Sequence, residues 1–152
     1  MEPHAVGEPT RWDPCSITPE AIGATGLDPG YRDEGWGDGI VVPDWGRCSF
    51  KPPGLDVKYF LSVEVSLSHT LAETRADQSR IDGQDITIGD RDAFEYKTRV
   101  GKTGRTCDIA VEVEPGVVVF SVIDMDDLAD AELCEMVLRH TQDLEDSLPA
   151  PV

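Results

Sequence analysis

The sequence predicts an α+β fold in which an antiparallel sheet is covered by helices. Segments with the two-residue alternation of strands follow one another through the middle of the chain, and helical segments stand near both ends. The chain has 152 residues, the length of one ordinary domain. We therefore expect a loose N-terminal tether over residues 1–12 and a single domain over residues 13–150.

The first predicted element is a short helix within Ser16–Leu27. Thr18 is suited to cap its N-terminus, and Pro19 suits the first helical position because its missing N–H is not needed there. Gly26 can end the helix.

Residues 28–46 are predicted to form a long irregular loop, since they include five glycines and no periodic pattern. Three aromatic side chains, Tyr31, Trp36 and Trp45, are candidates for contacting a ligand or partner. The alternative is that the two tryptophans cover the core beside a disulfide.

A series of strands follows the loop. Gly46–Lys51 and Tyr59–Leu67 are predicted strands, and Leu71–Arg80 is rich in helix formers and predicts a short helix. Asp85–Ile88 then leads into a further strand at Ala93–Lys97.

A hairpin and a helix complete the expected fold. Thr106–Glu114 alternates clearly, and Pro115–Gly116 turns the chain into the apolar strand Val117–Ile123. Apolar residues at steps of three and four predict a final helix over Asp127–Ser147, with His140 on its polar side.

Four widely spaced cysteines allow three disulfide pairings. We favour Cys15–Cys48 with Cys107–Cys134, because Cys134 lies on the apolar stripe of the last helix and Cys107 on the inner face of a strand. Four free buried cysteines are the alternative. The sequence has no Cys-x-x-Cys pair, so a zinc site is poorly supported. Disulfides would place the protein outside the cytosol.

Four short segments together resemble the actinobacterial lipoproteins grouped as the domain of unknown function 3558 family. They are Asp13–Ile17, Arg47–Phe50, Thr106–Val111 and Leu133–Cys134, and the resemblance extends from Asp13 to Pro149. Phe50 stands where many relatives have tryptophan, which alters packing more than chemistry.

The resemblance implies an exported protein that a lipid on an N-terminal cysteine holds at the outer face of the cytoplasmic membrane. This sequence contains neither that cysteine nor a signal peptide. The expectation of an anchor therefore concerns the full-length protein. The layout is also similar to the Mog1p/PsbP-like α/β/α sandwich, a likeness of fold that carries no activity with it.

The charge balance argues against nucleic-acid binding. Thirty acidic and 13 basic residues leave a net charge of −17, whereas a phosphate backbone requires clustered lysines and arginines. Residues 1–46 carry net −7 and residues 124–146 net −8, so residues 47–123 are nearly neutral. No apolar run is long enough to span a membrane.

One basic cluster stands out against this acidic background. Lys97, Arg99, Lys102 and Arg105 lie within nine residues that hold no acid. They are candidate contacts for an anionic partner, such as lipid headgroups or an acidic protein surface. The alternative is that they keep a sheet edge soluble.

Catalytic and cofactor motifs find little support. Gly101-Lys102-Thr103 lacks the earlier glycine of a phosphate-binding loop, because Tyr96 stands there. We predict no cofactor. An envelope hydrolase using His69 with Ser66 or Ser68 remains an alternative function.

Asp124, Asp126, Asp127 and Asp130 form the densest carboxylate cluster. Their spacing does not match a calcium loop, and the positive end of the last helix accounts for them without a metal.

These observations predict a non-catalytic, exported cell-envelope domain that binds a protein partner or an amphiphilic ligand. A structural spacer or immunity-type protein is a further alternative, for which we expect a convex surface without a pocket.

Overall fold

In the computed structural model, which describes residues 11–149, seven antiparallel strands form one sheet with helices on both faces. The strands are β1 (Asp33–Glu34), β2 (Gly46–Phe50), β3 (Tyr59–Ser66), β4 (Ile81–Ile88), β5 (Arg91–Val100), β6 (Gly104–Glu112) and β7 (Val117–Asp124), and the helices are α1 (Pro19–Ala24), α2 (Leu71–Ala76) and α3 (Asp130–Leu144). The strand order is β1-β2-β3-β7-β6-β5-β4. The predicted α+β class is confirmed.

The first face of the sheet packs against α1 and α3 and forms the main core. Side chains on alternate positions of the central strands, such as Val63, Ile109 and Phe120, meet Leu133 and Val137 of α3, and all five are fully buried. Burying such residues is the largest favourable contribution to folding, at about 1.5 to 3 kcal/mol for each side chain.

Two disulfides lie on this face and confirm the favoured pairing. Cys15 is joined to Cys48, with Cα atoms 5.3 Å apart, and Cys107 is joined to Cys134, with Cα atoms 5.1 Å apart. The first bridge ties the N-terminal segment to β2, and the second ties α3 to β6.

The second face of the sheet is covered by α2 and by the segment that contains Trp45. Leu71 of α2 packs there with Tyr96 and Ala110, which point away from the main core because strand side chains alternate between faces. The predicted 28–46 loop contains β1, a two-residue strand paired with β2.

Local capping explains where the helices begin and end. Thr18 accepts a hydrogen bond from the Ala21 N–H at 3.2 Å, which confirms the predicted start of α1. The predicted helix over Leu71–Arg80 is too long, because Asp77 accepts hydrogen bonds from the Ser79 N–H and hydroxyl and so ends α2.

The last helix begins three residues later than its sequence predicts. Asp124 accepts hydrogen bonds from the N–H groups of Asp126 and Leu128, and Asp127 adopts a positive φ of 53°. These residues form a turn, and α3 starts at Asp130.

The prediction that His140 lies on the polar side of the last helix is wrong. Its side chain is fully buried, with hydrogen bonds to Thr25 and Tyr59. Partners from α1 and β3 satisfy both ring nitrogens, so the histidine can lie in the core.

The hairpin of β6 and β7 is confirmed, and its turn requires glycine. Gly116 has a φ of 95°, and a Cβ atom there would lie 1.8 Å from the Ser66 carbonyl oxygen.

Trp12 packs against the core, although it falls within the predicted tether. Residues 1–10 of that tether, and Ala150 at the end of the predicted domain, lie outside the described residues. Within residues 11–149, no helix is long and apolar enough to cross a membrane.

Candidate ligand-binding cavity

A cavity of about 650 Å³ lies on the second face of the sheet. This volume is in the range of sites for small organic ligands, roughly 300 to 1,000 Å³. Its aromatic and aliphatic lining includes Trp36, Trp45, Tyr96, Val119, Ile123 and Met125. Its polar lining includes Glu64, Arg80, Thr98, Thr106, Asp108 and Ser121.

A row of polar side chains crosses four strands on this face, and three of its members form the floor of the cavity. Ser62 of β3 pairs with Ser121 of β7, which pairs with Asp108 of β6, which pairs with Tyr96 of β5. Ser62, Ser121 and Asp108 each stand between core-facing neighbours, so alternation directs them to the second face, where Tyr96 packs with Leu71 and Ala110. The register between strands then brings them together.

Asp108 is the most buried acid of the floor, with only 4% of its surface exposed. Its carboxylate accepts hydrogen bonds from the hydroxyls of Thr106 at 2.7 Å and Thr98 at 2.9 Å. Loss of hydration raises the pKa of Asp108, and hydrogen bonds from neighbouring hydroxyls oppose that rise. The floor therefore holds a carboxyl group that proteins seldom bury without a role.

Glu64 is a second acid on the same face. Its carboxylate accepts a hydrogen bond from Ser62 at 3.0 Å and lies 3.9 Å from the Arg47 guanidinium. Burial raises the pKa of Glu64, while Ser62 and Arg47 lower it. The two carboxyls thus share one desolvated surface.

Arg80 forms a wall of the cavity near β5. Its guanidinium lies over the Tyr96 ring, 4.6 Å from the centroid, and Nη2 lies 3.5 Å from Asp77. Its Nε atom is buried and has no hydrogen-bond acceptor among residues 11–149. Burial raises the pKa of Tyr96 well above its ordinary value, so this phenol stays protonated.

The opposite wall contains the two tryptophans of the predicted loop. The Arg47 guanidinium lies 5.0 Å from the centroid of the Trp36 ring, and the His69 ring stacks on Trp45 at 5.2 Å. The indole Nε1 of Trp36 is buried and, like Arg80 Nε, lacks an acceptor within the described part of the chain.

The structure separates the candidate contacts inferred from sequence. Trp36, Trp45 and Arg105 line the cavity. Tyr31 lies elsewhere, with the Lys51 ammonium 5.0 Å from its ring centroid.

The basic cluster is largely neutralised by acids from other elements. Lys97 pairs with Asp82 of β4 at 2.8 Å, and Arg99 pairs with Asp130 of α3 at 3.0 Å. Arg105 binds Asp130 and Asp124, each at 2.8 Å. The remaining member, Lys102, is exposed in the turn between β5 and β6. Asp124 and Asp130, two members of the carboxylate cluster noted in the sequence, are thus paired with Arg105.

The His69 ring is engaged with acids, and the two serines bond elsewhere. Nδ1 of His69 lies 3.0 Å from Glu73, and Nε2 lies 3.9 Å from Asp44. The Ser66 hydroxyl accepts hydrogen bonds from the backbone N–H groups of Ser68 and His69. This arrangement does not form the nucleophile and base pair that the hydrolase alternative requires.

Sequence reasoning did not identify Glu64, Arg80, Tyr96, Asp108 and Ser121 as site residues. The sequence of β6 did contain a signal, because Thr106 and Asp108 alternate with the core-facing Cys107 and Ile109 and so lie on the other face. Strand register, which a single sequence does not reveal, decides that the polar residues of different strands meet.

A family model described as a protein of unknown function, DUF3558, matches residues 2–147 of the chain. No curated protein and no solved structure shows significant similarity to it.

Proposed function

The chain belongs to the DUF3558 family, and from this premise we propose that it is a non-catalytic, exported cell-envelope domain that binds an amphiphilic ligand. The single observation that carries the proposal is the cavity of about 650 Å³ on the second face of the sheet. Apolar walls and a few buried polar groups are the usual composition of sites that bind organic ligands.

The two disulfides support an extracytoplasmic location, because such bonds persist mainly in oxidising compartments. We further propose that the full-length protein is anchored by an N-terminal lipid. A domain held at a membrane surface would meet amphiphilic molecules at high local concentration.

We also propose the Mog1p/PsbP-like sandwich as the finer fold assignment. Helices on both faces of an antiparallel sheet support it. The assignment concerns fold alone and adds nothing to the function.

The alternatives fit the site less well. A hydrolase would need His69 to contact a hydroxyl nucleophile, and its ring nitrogens lie instead near Glu73 and Asp44. A spacer or immunity-type protein would be expected to have a convex surface without a pocket, and the cavity argues against this alternative.

The proposal is tested by filling the cavity. Ile123 lines it and is partly buried, so Ile123→Trp would occupy the space that a ligand needs. We expect the uncharged fluorescent amphiphile N-phenyl-1-naphthylamine to bind the unmodified protein and to bind this variant about tenfold more weakly. Fluorescence titration measures both affinities.

Leu55→Trp is the matched control, because Leu55 is fully exposed and lies outside the cavity lining. It adds the same side chain and should leave binding unchanged. Equal affinity in the Ile123→Trp variant, with its fold verified by circular dichroism, would reject the cavity as the binding site.

A further inference from the structure

We infer that the ligand of the cavity is an uncharged amphiphile whose head group carries several hydroxyl or ester oxygens, as in a glycerol ester or an alkyl sugar. The inference rests on the proposed function and specifies the chemistry of its ligand. It is based on the hydrogen-bonding groups and the charges that line the cavity.

Two buried donors without a partner in the described part of the chain belong to side chains that line the cavity. Four buried side-chain nitrogens lack an acceptor within residues 11–149, and two of them, Arg80 Nε and Trp36 Nε1, belong to the cavity lining. A buried donor without a partner costs about 1 to 3 kcal/mol, so a ligand oxygen that meets one gains affinity.

The two donors lie in different parts of the wall. Arg80 lies over Tyr96 of β5, whereas Trp36 lies beside Arg47 of β2. In the sheet, β3, β7 and β6 separate these two strands. One oxygen cannot meet both donors, and a head group with several oxygens has more ways to meet at least one of them.

The carboxyl groups of the lining can accept further hydrogen bonds from a ligand. Asp108 and Glu64 line the same cavity, and the hydrogen bonds they accept come from hydroxyl groups. A ligand hydroxyl both donates and accepts a hydrogen bond. It can therefore serve the carboxyls and the unpartnered N–H groups at once.

The charges of the site favour a head group without net charge. Arg47 lies 3.9 Å from Glu64, and Arg105 pairs with Asp124 at 2.8 Å, so cations and carboxyls of the site already face one another. An anionic head would add to a chain of net charge −17. A cationic head would compete with guanidinium groups that already lie over Tyr96 and Trp36.

Amphiphiles that share a ten-carbon chain isolate the head group. We would measure displacement of N-phenyl-1-naphthylamine by decyl glucoside, monodecanoylglycerol, decanoate and decylammonium, each below its micelle concentration. We expect one or both of the hydroxylated ligands to bind about tenfold more tightly than either charged ligand. The better of the two would distinguish a sugar head from a glycerol ester.

Two variants test the named donors. Trp36→Phe removes the indole N–H but keeps an aromatic ring, and Arg80→Lys keeps the positive charge but removes Nε. At least one of them should weaken the hydroxylated ligand about tenfold, and more than it weakens the naphthylamine. Trp12→Phe and Arg75→Lys make the same changes outside the cavity lining and serve as controls.

The outcomes separate the inference from the function on which it rests. Equal or tighter binding of decanoate or decylammonium would overturn the inference and leave the amphiphile site in place. So would unchanged affinity in both donor variants. Failure of the unmodified protein to bind the naphthylamine would overturn the proposed function, and the inference with it.

Discussion

His140 has a defined protonation state because its neighbours leave one arrangement of hydrogens. The Thr25 hydroxyl donates its only hydrogen to Asp143 at 2.7 Å, so it can only accept from His140 Nδ1, which lies 2.9 Å away. Nε2 then accepts from the Tyr59 hydroxyl at 2.8 Å. Burial lowers the pKa of His140 to about 4, with Arg139 contributing in the same direction.

This depressed pKa predicts a loss of stability in acid. An unfolded histidine takes up a proton below about pH 6.5, and the folded one does so only near pH 4, so stability falls as pH decreases through that window. We expect the stability advantage of the unmodified protein over His140→Gln to shrink by about 2 to 3 kcal/mol between about pH 7 and pH 4.5. Urea denaturation at several pH values measures it.

The comparison with the variant is necessary because other buried groups act in the opposite direction. Glu64 and Asp108 have raised pKa values, so they bind protons more readily in the folded state and favour it at low pH. Subtracting the free energy of unfolding of the variant from that of the unmodified protein removes their contribution. A stability advantage over His140→Gln that does not depend on pH would contradict the assignment.

At the residue scale, the sequence indicated the face of the sheet on which Asp108 lies but not the residues that it contacts there. Asp108 stands between two core residues of β6, so alternation alone directs it to the second face. That it meets Thr98, Tyr96 and Ser121 depends on the register of β5 and β7. His140 was assigned to the polar face of its helix because helical periodicity contains no information about Tyr59 and Thr25.

The elements that could be predicted are those with buried, periodic side chains. β6 and β7 lie at the centre of the sheet, and their alternation was clear. β4 is an edge strand whose residues Asp82, Gly83 and Gln84 are exposed, so only its last part looked like a strand. Gly83 also has a packing role, because a Cβ there would lie 2.2 Å from the Phe94 ring.

The disulfides join elements that hydrogen bonds alone would hold less firmly. The bridges span sequence separations of 33 and 27 residues, so the chain-entropy model gives each about 3 to 4 kcal/mol. We expect the double variant Cys107→Ala with Cys134→Ala to lower the free energy of unfolding by about that amount. Denaturation in urea measures the loss.

The other bridge provides an internal comparison. Removing Cys15 and Cys48 in the same way opens a loop of similar length and should cost a similar amount. If neither double variant lost stability, or if reduction of the unmodified protein added no hydrogen atoms to its intact mass, the paired cysteines would be refuted.

At the scale of the whole molecule, tertiary contacts redistribute the charge. The four basic residues near the β5–β6 turn looked like one patch in sequence, and acids of β4 and of the start of α3 now pair with three of them. The net charge of −17 is carried by one domain-sized chain. Self-repulsion of this kind destabilises the compact state.

Salt should therefore stabilise the protein. Raising the ionic strength from about 10 mM to about 150 mM shortens the screening length from roughly 30 Å to 8 Å and weakens long-range repulsion. Contacts such as Arg105–Asp124, at 2.8 Å and partly buried, are screened less. We expect the Tm to rise with sodium chloride, as measured by circular dichroism.

Lys102→Glu sharpens this test, because it makes the chain two charges more negative at an exposed turn. Its Tm should be lower at low salt and should rise more steeply with salt. A Tm that falls over the same range in both proteins would show that local ion pairs, rather than net charge, dominate the electrostatics.

By itself, the sequence determined the α+β class, the central hairpin and the capped first helix, because these follow from periodicity and local capping. It favoured the disulfide pairing without deciding it, and the structure shows the two bridges. Only the tertiary structure decided that Trp36, Arg80 and Asp108 surround one cavity. The physical reason is that strand register and the turn that ends α2 at Asp77 bring together residues distant in sequence, and neither leaves a periodic trace in the chain.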